Sequence, residues 1–569
     1  MTPRLQGGSF LRAVLDHVEQ RPEARACVLI REDGEHESIS RAALHSEALA
    51  WAQALQSQGV APGSLVLIGL DHSRALIESI LGTWYAGAVP AVTRYASPRL
   101  DVALHARRLS DQARDGGAAA LLVGNSIAAH LGPAATAPYR VVRPEDVRRA
   151  ASLAFTPSVS RGDALAYVQY TSGTSGPQKA VAHTHAAMCQ YLEGKIAADA
   201  ITADSVGVSW LPLYHDLGLL SGLVAPLVTG TSTVLMSPFH WVRDPKLLLR
   251  SIDAYAGTMS WMPNFGLEHC VRAIREADIA GIDLRSWRTL VSGGELVRHS
   301  SQQAFARRFA PYGFAASALQ AGYGMAENIE GITTSRKDRP LAVDWVRLPE
   351  LRAERRAVPE PPGAPAAVPI VSCGVPMPGT RIRIVDGEGR ELPDRQVGEI
   401  VVQSPYCLSG GYYRRPELTE EVLRDGWLQT GDLGYVAGGE LFVCGRQKDV
   451  IIVAGSNIHP EDLEAVAGDA AGVVPGRAVA FGVPDPRMGT ERVVLVCELA
   501  DGLGGEAARD VERRIRRRCV GELDVTVGEV AFRPKGWIVK SSSGKLARPA
   551  NREKFLAERA VPTADAGAP

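Results

Sequence analysis

Paired cysteines, long apolar runs and an excess of either charge are all missing from this 569-residue chain, and each absence closes off a class of protein. The eight cysteines, Cys27, Cys189, Cys270, Cys373, Cys407, Cys444, Cys497 and Cys519, lie far apart and form no Cys-x-x-Cys pair. Neither a zinc knuckle nor a disulfide framework is therefore expected; the scatter suits small buried hydrophobes in a reducing cytoplasm. No apolar run approaches the roughly eighteen residues of a membrane span, and Met1-Thr2-Pro3-Arg4-Leu5 does not open a signal peptide. Lys and Arg number 62 against 63 Asp and Glu, a formal net charge of −1. With no global field to attract phosphate backbones, nucleic acid is not expected as a partner. A fixed internal period is absent too, which excludes a repeat architecture.

What remains is ordinary globular composition, 46% hydrophobic and 22% charged, in a chain too long for one core. Ala42 to Gln58 carries apolar residues at helical spacing and stops at Gly59; Ser64 to Leu70 then reads as a buried strand. Similar runs recur at Ala119–Val123, Ser232–Met236 and Thr289–Ser292. The alternation predicts an α/β fold: a large N-terminal domain of parallel-rich sheets with flanking helices, then a smaller α+β domain. The boundary falls after Gly445, giving domains over 1–445 and 446–560 and a flexible tail over 561–569. Within the first, 336–369 is charged and then rich in Pro and Ala, the composition of an irregular surface insertion.

Several short segments carry chemistry. Thr171-Ser172-Gly173-Thr174-Ser175-Gly176-Pro177-Gln178-Lys179 leaves an apolar strand, and its glycines and hydroxyls present donors at close range, as a phosphate requires. The spacing is not the Walker pattern, and a plain loop has the same composition. His215 lies beside an aromatic in Trp210-Leu211-Pro212-Leu213-Tyr214-His215-Asp216, where a purely structural histidine is the other reading. Ser292-Gly293-Gly294-Glu295 offers a turn open to a flat ligand. In Gly322-Tyr323-Gly324-Met325-Ala326-Glu327, Tyr323 suits stacking on a base and Glu327 suits a hard cation. Asp432 sits in a tight turn where a carboxylate can accept from ribose hydroxyls, and Lys545 is a point charge on a small-residue loop.

Taken in this order, from Phe10 to Phe555, the set resembles the adenylate-forming superfamily of acyl-CoA synthetases, peptide-synthetase adenylation domains and luciferase. The resemblance implies that Thr171, Ser172, Gly173, Thr174 and Lys179 clasp the ATP phosphates. Tyr323 stacks on adenine, bounded by Gly293, Gly294, Glu295, Gly322, Gly324 and Met325. Glu327 and Thr171 hold Mg²⁺, and Asp432 with Arg446 holds the ribose. Lys545 bridges the attacking carboxylate and the α-phosphate beside His215, and Lys448 is the hinge on which the C-terminal domain swings. A turn over 454–457 lines the thiol channel.

Leu213-Tyr214-His215-Asp216-Leu217-Gly218, Pro263-Asn264-Phe265, Val371-Ser372-Cys373-Gly374 and the 336–369 insertion are similar to the fatty acyl-AMP ligases. That likeness implies an acyl carrier protein as acceptor; an acyl-CoA ligase and a silent nucleotide-binding scaffold are the alternatives. His215, Trp261, Met262 and Asn264 would face the acid. Trp261-Met262 stands where many such ligases carry glycines, which predicts a short, medium or functionalised acid. The run Arg513 to Arg518 reads as a solvated helix face or a dock for an acidic carrier.

Overall fold

The apolar runs read from the sequence become the middle strands of two parallel sheets. The computed structural model describes residues 5, 9–95, 101–131, 137–150, 155–160, 162–170, 179–337, 339–453, 456–485, 490–523, 525–541 and 544–560. A seven-stranded sheet runs in the order Leu319–Ala321, Thr289–Ser292, Met259–Met262, Val206–Ser209, Ser232–Met236, Arg25–Ile30, His36–Ser40. Only the last, an edge strand, pairs antiparallel. A second, all-parallel sheet joins Val89–Val92, Leu65–Gly69, Ala120–Val123 and Arg140–Val142. Parallel strands are covered on both faces and so read as unbroken apolar runs; all five residues of Leu65–Gly69 are buried. Helices Arg41–Ser57 and Arg74–Tyr85 cover them, started by Ser40 and Ser73, whose hydroxyls accept from the amides of Ala43 and Leu76.

Past Arg381 the pairing turns antiparallel, through Arg381–Val385, Gly398–Gln403, Trp427–Ala437 and Glu440–Arg446. The chain then builds a separate core around Leu463, Ala480, Leu495, Val511, Ile515 and Cys519. Its strands Val473–Asp485 and Thr490–Leu499 pair antiparallel, Glu529–Arg533 adds parallel, and helices Pro460–Gly468, Gly505–Leu523 and Arg548–Ala560 pack on them. Seven of the eight cysteines are buried, Cys407 partly, and all are free. In the arginine run, Arg513, Arg516 and Arg518 pair with Asp510, Glu512 and Glu522 of their own helix, so three of its five arginines are already neutralised.

The stretch expected to be an irregular insertion is ordered secondary structure. Val343–Arg347 and Ala367–Val371 form an antiparallel pair, and helix Leu348–Ala353 follows the first strand directly. Composition misled because the prolines gather in the return between the strands, while the flanking charges are paired, Asp344 with Arg395 and Arg347 with Glu350. This unit also joins two cores. Val346 and Leu351 pack with Tyr435 and Phe442, whereas Leu348 packs with Ile451 and Leu463. Buried Arg352 donates to the Leu523 carbonyl and lies 3.2 Å from Asp462, tying the insertion to the C-terminal elements.

Candidate active site

Strand Val206–Ser209 runs out into the His215 motif, and Asp216 caps the next segment, Leu217–Val224, which winds with π rather than α spacing. Such turns are rare and concentrate at functional sites. Here the wide turn packs Gly218 so closely that a β-carbon would stand 2.2 Å from the Pro212 carbonyl oxygen. Asp216 Oδ1 accepts from the Leu217 amide at 2.7 Å and lies 2.6 Å from His215 Nδ1. Burial pushes the Asp216 carboxyl up, but His215 and, further off, Lys545 overcome it and bring it down to about 2. It stays a carboxylate at any physiological pH.

At the end of Thr289–Ser292 the chain makes the turn Gly293-Gly294, with Gly294 at φ +81. A β-carbon on Gly293 would stand 3.0 Å from the Gly322 carbonyl oxygen, and one on Gly324 would collide with that of Glu330 at 1.9 Å. Tyr323 therefore stands directly before a position, Gly324, that only glycine can fill. Its hydroxyl donates to Asp432 Oδ2 at 2.7 Å, while Arg446 Nε donates to Asp432 Oδ1 at 2.9 Å. Strand register puts Asp432 opposite Arg446, so the three residues form one chain of charge-assisted bonds. Met325 is half-buried behind Tyr323.

Glu327 follows on a single tight turn, Ala326–Asn328, and its Oε1 accepts from the Tyr412 hydroxyl at 2.7 Å. Lys179 holds its ammonium 5.0 Å above the same Tyr412 ring. Tyr412, absent from the sequence reading, thus links the end of the expected phosphate loop to the expected cation ligand. Thr171, Ser172, Gly173 and Thr174 lie outside the described residues, as do Ala454 and Gly455 of the expected thiol channel and the 561–569 tail.

Lys545 arrives from the C-terminal elements. Its ammonium lies 3.9 Å from where a β-carbon on Gly294 would stand. Burial lowers its pKa, Asp216, Glu295 and Asp432 oppose that, and Arg446 adds to it. The lysine therefore stands within the field of Asp216, Glu295, Asp432 and Arg446 together. Lys448 is exposed on the short turn Gln447–Asp449 that joins the two parts of the chain.

On the acid side, Asn264 is fixed by backbone groups: its Nδ2 donates to the Leu296 carbonyl at 2.6 Å and its Oδ1 accepts from the Arg298 amide at 3.0 Å. It positions the Gly293–Glu295 turn, aided by Phe265 N–H, which donates to Glu295 at 3.3 Å. Trp261 and Met262, both buried, leave opposite faces of their sheet, as successive side chains of a strand do. Trp261 points across Gly207 towards the π segment, while Met262 points at Gly266 beneath helix Asn264–Ala273.

Residues 14–413 match the model of the AMP-binding enzyme family. The chain belongs to that family. AMP-binding relatives include the 4-hydroxyphenylalkanoate adenylyltransferase of Mycobacterium tuberculosis, 33% identical over 87% of this chain and 82% of that one. The medium-chain-fatty-acid–[acyl-carrier-protein] ligase JamA of Moorena producens is 31% identical over 96% and 95%. A solved chain from work on the fatty acyl-adenylate ligases of E. coli and L. pneumophila superposes with a TM-score of 0.87 at 26% identity, covering 98% and 99%. The protein is an adenylate-forming ligase with the two-domain α/β architecture of these structures, and ATP is its nucleotide. Within this AMP-binding fold, Tyr412, Asp216 and Thr430, whose hydroxyl accepts from the Asp432 amide at 3.0 Å, are in direct contact with the candidate residues Glu327, His215 and Asp432. Only Asp216 had a local signal, its place beside His215.

Proposed function

We propose that the protein activates a short, medium or functionalised carboxylic acid as its acyl-AMP and passes the acyl group to the phosphopantetheine thiol of a carrier protein. A carboxylate oxygen of the acid attacks the α-phosphorus of ATP, the bond to the β-phosphate oxygen breaks, and pyrophosphate leaves. No protein nucleophile is needed, so positioning and charge do the work. The observation that carries this is the Lys545 ammonium set against the Gly293-Gly294 turn, within the field of Asp216. Lys545 would bridge the incoming carboxylate and the α-phosphate, with His215 held alongside by Asp216. Tyr323 would lie on the adenine, Asp432 and Arg446 on the ribose, and Lys179 with the 171–178 loop on the outer phosphates. The test is ATP–pyrophosphate exchange across a panel of acids; no exchange with any member would sink the reading.

Mg²⁺ fits the donors present. Glu327 keeps Oε2 free of hydrogen bonds among the described residues, and no group of three or more His, Cys, Asp and Glu is gathered there for a fully protein-bound ion. A lone carboxylate suits an octahedral ion completed by phosphate oxygens and water. Glu327, with Thr171, would hold the ion, whose charge would offset that of the phosphates.

Asp432→Ala is expected to weaken ATP binding by about 10–100-fold, since charge-assisted hydrogen bonds contribute roughly 1.5–3 kcal/mol. Calorimetric titration with a non-hydrolysable ATP analogue reads this, and an unchanged affinity would remove Asp432 from the nucleotide site.

The carrier as acceptor is supported by the insertion, whose Arg352 ties the C-terminal elements in place, and by likeness to JamA. Domains over 1–445 and 446–560, turning at Lys448, follow from the same reading. Arg352→Ala should release part of this restraint. Thioester formation with free coenzyme A is then expected to rise about tenfold, the equivalent of a shift of about 1.4 kcal/mol between poses. Equal turnover of coenzyme A by both proteins would speak against the insertion as a restraint. Among the described residues no helix is long and apolar enough to cross a membrane, and the free cysteines support a cytoplasmic setting.

A further inference from the structure

A buried polar cluster lies on the same sheet face as Trp261, and the nucleotide site does not use it. Lys195, on helix His185–Ala198, places its ammonium 2.9 Å from Asp199 and 3.1 Å from Glu330 Oε1, with all three side chains at most 7% exposed. Ser221, on the π segment, donates to the same Glu330 oxygen at 2.5 Å. The ammonium also stands 6.0 Å from the centre of the Trp261 ring. Strand register completes the row: Trp261 pairs with Val291 and Val291 with Gln320, whose side chain accepts from Lys337.

Gly294, against which Lys545 sits, lies three residues beyond Val291, or about 10 Å along the chain at roughly 3.3 Å per residue. The field of Asp216 reaches both Lys545 and Glu330. An acid whose carboxylate meets Lys545 and whose chain follows the π segment therefore ends at this cluster.

We propose that Trp261 and Glu330 form the far end of the acid site and select acids carrying a hydroxyl group remote from the carboxylate. This rests on the acyl-adenylate reading above. Two lysines, Lys195 and Lys337, face two acids, Asp199 and Glu330, so no ionic charge is left to recruit a second carboxylate or an amine. Two hydrogen-bonding atoms are left over. Trp261 Nε1 and Glu330 Oε2 are buried and have no partner among the described residues. An indole N–H can only donate and a carboxylate oxygen can accept, so a hydroxyl, which does both, satisfies the pair where an alkyl end leaves both unmet. Burial pushes the Glu330 carboxyl up to about 7 against the pull of Lys195, so near neutral pH it can offer a proton or a lone pair.

The experiment is ATP–pyrophosphate exchange with matched acids: straight chains from butanoate to octanoate against their terminal-hydroxyl counterparts, and phenylpropanoate against its para-hydroxy form. A site built to hydrogen-bond a hydroxyl discriminates strongly, so the best hydroxyl acid should exceed its plain partner in kcat/KM by at least about tenfold. Trp261→Phe keeps an aromatic ring but removes the donor, and Glu330→Leu removes the acceptor; each should bring the ratio towards unity. Structural damage lowers both members of a pair alike, so the ratio isolates recognition. Exchange that favours the plain acids, or dicarboxylic acids, overturns the hydroxyl site while leaving adenylation standing. A wild-type preference untouched in both variants also overturns it, and silence with every acid removes the acyl-adenylate reading itself.

Discussion

Lys545→Ala is expected to lower ATP–pyrophosphate exchange by about 10²–10³-fold, the size of effect seen when one preorganised donor to a developing charge is removed. The C-terminal elements bring the lysine to the Gly293-Gly294 turn, where it comes within 3.9 Å of the position a Gly294 β-carbon would take. Nucleotide affinity should change little, because Tyr323, Asp432 and Arg446 belong to the preceding strands and keep their own bonds. A drop in exchange with ATP binding retained within a few-fold therefore separates a role in the chemical step from one in folding. The pH profile adds a check of sign. Burial lowers the Lys545 pKa, so its charge is lost as pH rises, and at a lower pH than for a free lysine. Activity that depends on the ammonium must then fall on the alkaline side earlier than lysine's ordinary titration, and an alkaline limb identical in Lys545→Ala would assign it to another group.

Arg548→Met is expected to cost about 3–5 kcal/mol, the penalty for removing one partner of a buried ionic network. The guanidinium lies 2.8 Å from Asp449, 2.8 Å from Glu461 and 2.7 Å from Glu464, and those three carboxylates are at most 12% exposed. Methionine fills much of the volume but leaves three acids with no cation. The deficit should depend on pH in a definite direction. Burial pushes the Glu461 carboxyl up to about 7 even with Arg548 opposing it. A carboxyl whose folded pKa is raised contributes stability that is present below its unfolded value and lost as pH rises through the folded one. Losing Arg548 raises that pKa further, so the variant should be closest to wild type near about pH 5 and furthest from it near about pH 8. Thermal melting and limited proteolysis at both values read this directly. Because Asp449 adjoins Lys448 and Arg548 follows Lys545 by three positions, the same variant should loosen the placement of Lys545; a melt and an exchange rate matching wild type would refute the role.

The fold class was legible because parallel strands buried on both faces tend to be continuously apolar, as Leu65–Gly69 is and as Val234–Met236 is in its strand. The 336–369 segment was misread because composition averages over residues whose pairing is long-range: Asp344 meets Arg395, and Val346 meets Tyr435. The directions of Asn264 and Met262 were not legible for a related reason. A motif tells which residue types stand together but not which way a strand's pleat or a loop turns each one.

By itself the sequence determined the chemistry. Binding a nucleotide demands particular residue types at short range: closely packed glycines at Gly293 and Gly324, an aromatic at Tyr323, a carboxylate at Asp432 and a lysine on a small-residue loop at Lys545. Such demands are met within a few neighbouring positions and so leave a local trace. The tertiary structure alone decided what these residues meet. Tyr323 reaches Asp432 across 109 positions, Tyr412 reaches Glu327 across 85, and Ser221 reaches Glu330 across 109. Contacts between distant positions are set by how sheets and helices pack, and packing imposes no spacing on the chain that a reader of the sequence could recognise.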